Sequence, residues 1–579
     1  MGRLCERCAQ LIQDFTNLVR KFASRVAELF KECVAMLSEC CCFNSKRSKL
    51  GHLYDPVLLS YEKQAAQELL NHMETGFYDV PVGNETLEAL RIMASSETFE
   101  LQNSAAIYYL HMSQHMNSQL PAGFLEPYLP LLQSSELEIQ QLSSLSLVHF
   151  LLEGNLNKEL VVQAGLLEPI LDLLESGDAA VQCNSCACIM TLAISESNRE
   201  AIGNAGGILP LLTLAKSYDP RVQQNAVGAI LNLSRSERIK SILCREGALP
   251  VLTMLLQSAD SEIQYYSCGS LGNIAASPEH HKAMLAIGDK FLLRMLVSLM
   301  SSSVQKVSSQ ACLCLNNLAS SGEVRDHLFS MDVMPLILSL LHSSSKDVLQ
   351  ASITLLSTMS HSPEQMNAFL NEEMLRHLAL LMQAEKGNTV FIVQVACTIQ
   401  NLCHAENIEV IVQSPCFEEL LLSLMDCDNE EESLQYLVSC IAELAQYEYT
   451  QEHLIKKRDK AFIKCLVRHS AFLEHQEVAF QAATVIKHLS HAGEFAVELK
   501  PFMNDVQAYL MSFLTHPEMR FHKIAIATLH FLCKDLDFLK AVPQSQMKEL
   551  LEQKHQQTEE TEELLRLIIN QADKLNLNE

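Results

Sequence analysis

Six of the chain's 20 cysteines fall within its first 42 residues: Cys5, Cys8, Cys33, Cys40, Cys41 and Cys42. The last three stand together, and Lys46, Arg47 and Lys49 follow them directly. Thiols beside bases suit thioester acylation at an anionic membrane surface. One acyl chain holds only marginally there, and a second chain, or bases contributing about 1 kcal/mol each, makes the attachment stable. Gly2 after Met1 adds an acceptor for a myristoyl group, although Glu6 occupies the position where that signal has Ser or Thr. Gly2, Cys5, Cys8, Cys40, Cys41 and Cys42 are therefore the predicted lipidation positions.

Other reactive-looking patterns fail on spacing. Cys5 and Cys8 form a CxxC that would be half of a zinc site, but no second well-spaced pair follows. Cys183, Cys186 and Cys188 lie in an apolar helical pattern, where cysteine behaves as a small hydrophobe. His111 and His115 are one helical turn apart, without the glutamate of HExxH or a visible third ligand. GNAGG at Gly203 lacks the GK[ST] ending of a phosphate loop. CGSLG at Cys268 does not match GxSxG, and its serine falls in mid-helix. The expectation is a protein that is not an enzyme, with no metal, no cofactor and no small-molecule substrate.

The elements that carry these residues follow from composition and periodicity. The formal net charge is -26, and the first 50 residues hold nine basic against five acidic side chains, a head of +4 on a remainder of -30. A field of that sign repels nucleic acid, so no nucleic acid partner is expected. Hydrophobic residues make up 48% and charged residues 19%, enough apolar side chain to bury a core throughout. No secretory h-region follows Met1, and single cysteines in apolar pattern suit a reducing cytosol. The uncharged run Phe391 to Ile399 has nine residues, short of the roughly 18 that a membrane span requires.

One pattern recurs down the chain: an apolar anchor, a small residue four later, and apolar residues at eight and eleven. That spacing marks one face of an α-helix. The anchors are Leu101, Ile139, Val181, Val222, Ile263, Val307, Val348, Phe391, Ser433, Val478 and Phe521, spaced 38 to 45 residues apart. Nine of the eleven second positions are Ala or Ser, which allows close helix approach; Val395 and Leu437 are the exceptions. Upstream, AGFLEP at Ala122, AGLLEP at Ala164, GGILP at Gly206, EGALP at Glu246 and MDVMP at Met331 combine a residue that ends one helix with a proline suited to the first turn of the next. A period of about 42 residues with such punctuation is that of an α-solenoid.

With its short first helix, second helix and long third helix ending in Asn-Leu or Asn-Ile, the sequence resembles the armadillo repeat family over residues 55–540. HEAT repeats pair two helices and lack both the Gly-x-x-Pro start and the third-helix asparagine. The stretches LEPYLPLLQSSELEIQ, VQCNSCACIMTLA, VQQNAVGAILNLS and GALPVLTMLLQSADSEIQYY are similar in particular to the vacuole-anchored armadillo adaptors of fungi. The resemblance implies an all-α, right-handed solenoid of about eleven armadillo repeats; ahead of it, Leu4, Cys8, Leu11, Phe15, Leu18, Phe22, Val26, Leu29, Cys33 and Leu37 step by three or four and predict an N-terminal amphipathic helix. The expected domains are a Cys-rich basic head at 1–50, the array at 51–540 and a charged helical tail at 541–579.

Ten residues past each anchor stand His111, His149, Thr191, Asn232, Asn273, Asn317, Thr358, Asn401, Glu443, His488 and Phe531, the column that lines the groove in an armadillo array. An asparagine amide donates and accepts, so Asn232, Asn273, Asn317 and Asn401 can hold the backbone of an extended partner peptide; equally, each can bond neighbouring backbone at the helix end. Armadillo importins place Trp four residues earlier, where this chain has Gly228, Gly269, Leu313 and Cys397 and no Trp anywhere. Two functions follow. One is a lipid-anchored scaffold on the cytoplasmic face of a vacuolar or endolysosomal membrane, binding peptide segments in its groove and an anionic membrane surface through its head. The other is a soluble cytosolic adaptor, cytoskeletal or ciliary, whose N-terminal helix is a structural cap.

Overall fold

The computed structural model describes residues 58–576, apart from 76–81, 117–118, 363–364, 366–368, 406–407, 427–429, 458, 493, 545–546 and 553–558. The predicted lipidation positions and the N-terminal amphipathic helix lie outside the described residues. The chain divides into two compact units, Met1–Leu296 and Val297–Glu579. Among the described residues every regular element is helical.

The anchored helices are, in the first unit, α1 (Phe99–His115), α2 (Leu137–Leu152), α3 (Ala179–Leu192), α4 (Pro220–Leu233) and α5 (Ser261–Ala275). In the second they are α6 (Gln305–Leu318), α7 (Lys346–Met359), α8 (Thr389–Leu402), α9 (Glu431–Ala445), α10 (Gln476–Leu489) and α11 (Met519–Leu532). Within each unit every one of them packs on the next. All eleven anchors are buried, none more than 3% exposed. The small second positions are closed off as well, none above 1%. Each buried anchor of Val or Ile size contributes about 1.5–3 kcal/mol, and the small residue beside it lets the neighbouring helix come close enough to collect that burial.

Four of the five predicted boundaries rest on a left-handed residue; at AGFLEP, Ala122–Phe124 is a short 3-10 helix and Gly123 is not left-handed. Gly165, Gly206 and Gly247 have φ of 79°, 80° and 85°, and Asp332 in MDVMP adopts 54°. This left-handed turn ends the first helix of the repeat, with the amide of Gly207 returning to the Ile202 carbonyl at 3.0 Å. The second helix then runs, for example, from Ile208 to Leu214 and packs under α4.

Three consecutive third helices, α3, α4 and α5, begin at capping carboxylates. Asp178 accepts from the amides of Ala180 and Val181, Asp219 from Arg221 and Val222, and Asp260 from Glu262. Hydrogen bonding from the Arg221 guanidinium, then from the backbone amides, holds the Asp219 carboxyl down at about 2. Asp219→Ala should cost about 1 kcal/mol. Because folding depresses this pKa, the contribution is complete above the ordinary aspartate range and is lost as pH falls through about 2. The gap in melting temperature between wild type and variant should therefore be widest at neutral pH and close in strong acid.

At the C-terminal end, α12 (Glu559–Asn576) packs on α11 and on the helix Leu536–Gln544. The sequence pattern groups Leu564, Leu567 and Ile568 on one face. The structure buries Thr561, Leu565 and Ile568 instead and leaves Leu567 exposed, because α12 presents an i, i+4, i+7 stripe to α11 as the anchored helices do.

Candidate functional site

The asparagine column stands one step off the buried face, at the C-terminal ends of the third helices, where the last four carbonyls lack intrahelical partners. In the first unit, Asn232 Nδ2 on α4 donates to the Met190 carbonyl near the end of α3, at 2.8 Å. Asn273 Nδ2 on α5 donates to Ser234 Oγ at 2.9 Å and reaches the Leu231 carbonyl at 3.5 Å. In the second unit, Asn401 Nδ2 on α8 donates to Ser360 Oγ at 2.9 Å, beside the Ser357 carbonyl at the end of α7. Each amide thus ties its repeat to the preceding helix end.

The two readings open from sequence meet in the same side chain. The NH2 group bonds neighbouring backbone and hydroxyl, while Oδ1 of Asn232, Asn273 and Asn401 accepts no hydrogen bond from the described residues. All three side chains remain half-buried, so the oxygen keeps its capacity for an incoming N–H. Asn317 is half-buried on α6, and beside it Thr358 donates to Asn316 Oδ1 at 2.6 Å.

In the second unit a hollow of about 630 Å³ opens over the ends of α7, α8 and α9, lined by Ser357, His361, Gln394, Cys397, Asn401 and Glu443. It seats Asn401 between hydroxyl, imidazole and carboxylate groups, and burial pushes the Cys397 thiol up. Sequence spacing marks Asn401, Cys397 and Glu443 but misses His361 and Gln394, which reach the hollow from positions the column does not include. In the first unit a Cβ at Gly228, where importins have Trp, would come 2.6 Å from Met190 Sδ and 3.4 Å from Tyr266, so a larger residue there has to displace the Met190 side chain.

The remaining reactive patterns find ordinary surroundings. Cys183, Cys186 and Cys188 are buried on α3, and burial raises all three thiols, which suppresses thiolate chemistry. Ser270 is buried on α5 and donates to the Tyr266 carbonyl at 2.8 Å. The His111 and His115 rings lie 4.3 Å apart, and His115 Nδ1 is 2.8 Å from the His111 carbonyl. Burial, then His115, lowers His111 to about 4, so it is neutral at physiological pH. Among the described residues no group of three His, Cys, Asp or Glu is placed to hold a metal ion.

Residues 154–192, 195–235 and 236–276 match the Armadillo/beta-catenin-like repeat. Vacuolar protein 8 of Gibberella zeae is 32% identical over 130 residues, 22% of this chain and 22% of that protein. Vacuolar protein 8 of Schizosaccharomyces pombe is 34% identical over 127 residues, 21% of this chain and 22% of that protein. The chain thus matches about a fifth of the length of these curated relatives. An engineered protein solved by the Northeast Structural Genomics Consortium superposes with a TM-score of 0.63 at 22% identity, covering 70% of this chain and 98% of that one. A chain from a study of the interaction between cadherin and beta-catenin gives 0.63 at 13% identity, covering 84% and 99%. The fold is that of an armadillo solenoid.

Proposed function

We propose that this armadillo-bearing chain is a non-catalytic scaffold: it holds extended segments of partner proteins along its asparagine column and is tethered, through an acylated N-terminal head, to the cytosolic face of a vacuolar or endolysosomal membrane. The observation that carries the binding half is the division of labour within Asn232, Asn273 and Asn401. Their NH2 groups are anchored to the preceding repeat, which fixes the amide plane, and their oxygens are left to accept from a peptide backbone. A fixed amide reads backbone rather than side chain, so it suits several partners with different sequences. The membrane half is supported by the clustered cysteines and bases of the head, by the name of the fungal relatives, and by the acidity of the rest of the chain.

Changing Asn232 and Asn273 together to Ala tests the groove. Each loses a hydrogen bond to the preceding repeat, about 1 kcal/mol of stability, as well as its contact with a ligand. Ser234→Ala separates the two effects, since it removes the internal partner of Asn273 and keeps the amide. Quantitative co-precipitation should show partner recovery falling about tenfold in the double variant, equivalent to about 1.4 kcal/mol, and little changed in Ser234→Ala. Equal recovery from the double variant and wild type would move partner binding to another surface.

A further inference from the structure

The last two column positions, His488 on α10 and Phe531 on α11, differ from the rest in what surrounds them. The His491 ring lies 3.8 Å from that of Phe531 at 32°, and the His488 and His491 rings stack at 6.4 Å. His530 flanks Phe531 edge-on at 5.3 Å, and Lys534 Nζ sits 5.0 Å over the same ring. His530 Nδ1 is buried with no hydrogen-bond partner among the described residues, an orphan of the kind that folded proteins rarely leave. In a chain of net charge -26, these rings sit in a basic corner. The side-chain charges acting on the three histidines are those of Lys487, Lys534 and the neighbouring imidazoles. Asp535 and Asp537, which follow Lys534 in sequence, pair with Lys500 at 2.9 Å and 2.6 Å.

We infer that this corner, formed by Lys487, His488, His491, His530, Phe531 and Lys534, is a docking site for an acidic, carboxylate-rich peptide segment of a partner. The inference rests on the column being a peptide-holding face and adds the chemistry of one segment of the ligand. The exposed Lys534 ammonium supplies the attraction, within a positive field to which Lys487 contributes, and the aromatic floor supplies apolar contact for the stems of Asp, Glu or an adjacent aromatic residue. The imidazoles serve as neutral hydrogen-bonding walls, because burial, then Lys487, takes His488 down to about 4. The preceding column position is Glu443, of opposite sign. The change of sign between α9 and α10 fixes where an acidic run can lie and penalises a slip toward the hollow around Asn401.

The test uses the full chain and three probes: a short labelled peptide rich in Asp and Glu, its Asn and Gln counterpart, and the acidic peptide with phosphoserine replacing some carboxylates. Vesicles containing phosphatidylserine provide a fourth arm. Anisotropy should show the acidic peptide binding and the amide peptide failing to bind, with affinity falling as salt rises. Lys487→Glu with Lys534→Glu should weaken the acidic peptide about tenfold or more, and Lys534→Glu alone, at an exposed position, gives the same sign without risk to folding. Asn232→Ala with Asn273→Ala should leave this probe within about twofold, so failure here is distinct from failure of the asparagine column. Unchanged affinity after charge reversal, or equal binding of the amide peptide, overturns the inference. Binding of vesicles alone, or strong binding only of the phosphorylated peptide, overturns the assignment to a carboxylate-rich segment.

Discussion

Replacing Cys40, Cys41 and Cys42 by Ser is expected to move most of the protein from the membrane fraction to the cytosol, the largest effect of any change proposed for this chain. No described helix is long and apolar enough to cross a membrane, and outside the head the chain carries a net charge of -30, which an anionic surface repels. On the proposed reading, residence at a membrane comes from the head. A single acyl chain holds only marginally, so loss of the cysteine cluster leaves at most Gly2, and Gly2→Ala should release less than the triple substitution does. Lys46, Arg47 and Lys49 add about 1 kcal/mol each at an anionic surface, a part that salt screens; charge reversal there should weaken attachment and abolish its loss at high salt. Fractionation combined with thioester-sensitive acyl exchange reads both parts. A wild-type protein that is wholly cytosolic, with no exchangeable cysteine in the head, would favour the soluble adaptor in place of the tethered scaffold.

The fold was legible because its signal is local and repeated. The anchor and the apolar residues at eight and eleven recur eleven times, with Ala or Ser at four in nine of them, and the structure buries every anchor from Leu101 to Phe521. Boundaries were legible for the same reason: Gly165, Gly206 and Gly247 mark turns that need positive φ, and the acidic start of MDVMP does the same at Asp332. The proposed binding face was only half legible. Spacing places Asn232, Asn273 and Asn401 in one column, but whether an amide faces a ligand or its own scaffold depends on groups about 40 residues away, such as the Met190 carbonyl and Ser360 Oγ. His361 and Gln394 were invisible because they enter the hollow from outside the repeating positions. The basic corner was invisible because Lys487 and Lys534 acquire their meaning only when α10 and α11 bring His491 and Phe531 together.

The second large effect concerns the packing that repeats most faithfully. Ala226 is fully buried on α4, which packs on both α3 and α5, and Ala226→Leu inserts three extra carbons there. Overpacking of a well-filled core costs about 1–3 kcal/mol. Because solenoid stability sums over repeats and their interfaces, the loss should appear first as faster hydrogen exchange in α3, α4 and α5, with α9 to α11 unaffected. Ala311→Leu should act in the same way on α6 and α7. The chain also contains the compensated version of this change. In α9 the second position is Leu437 and the anchor is Ser433, so the large and small side chains have exchanged places one turn apart, and both are fully buried. The Ser433 hydroxyl is satisfied by the Glu430 carbonyl at 2.9 Å, so a polar anchor costs little there. Val222→Ser in the Ala226→Leu background reproduces that exchange in α4, freeing volume one turn from the added methyl groups. The double variant should therefore be less destabilised than the sum of its single changes by about 1 kcal/mol, the coupling expected of side chains that share one space. Strict additivity in a double-mutant cycle, or an Ala226→Leu variant with wild-type exchange in α3 to α5, would mean that the second position is not the close contact between repeats.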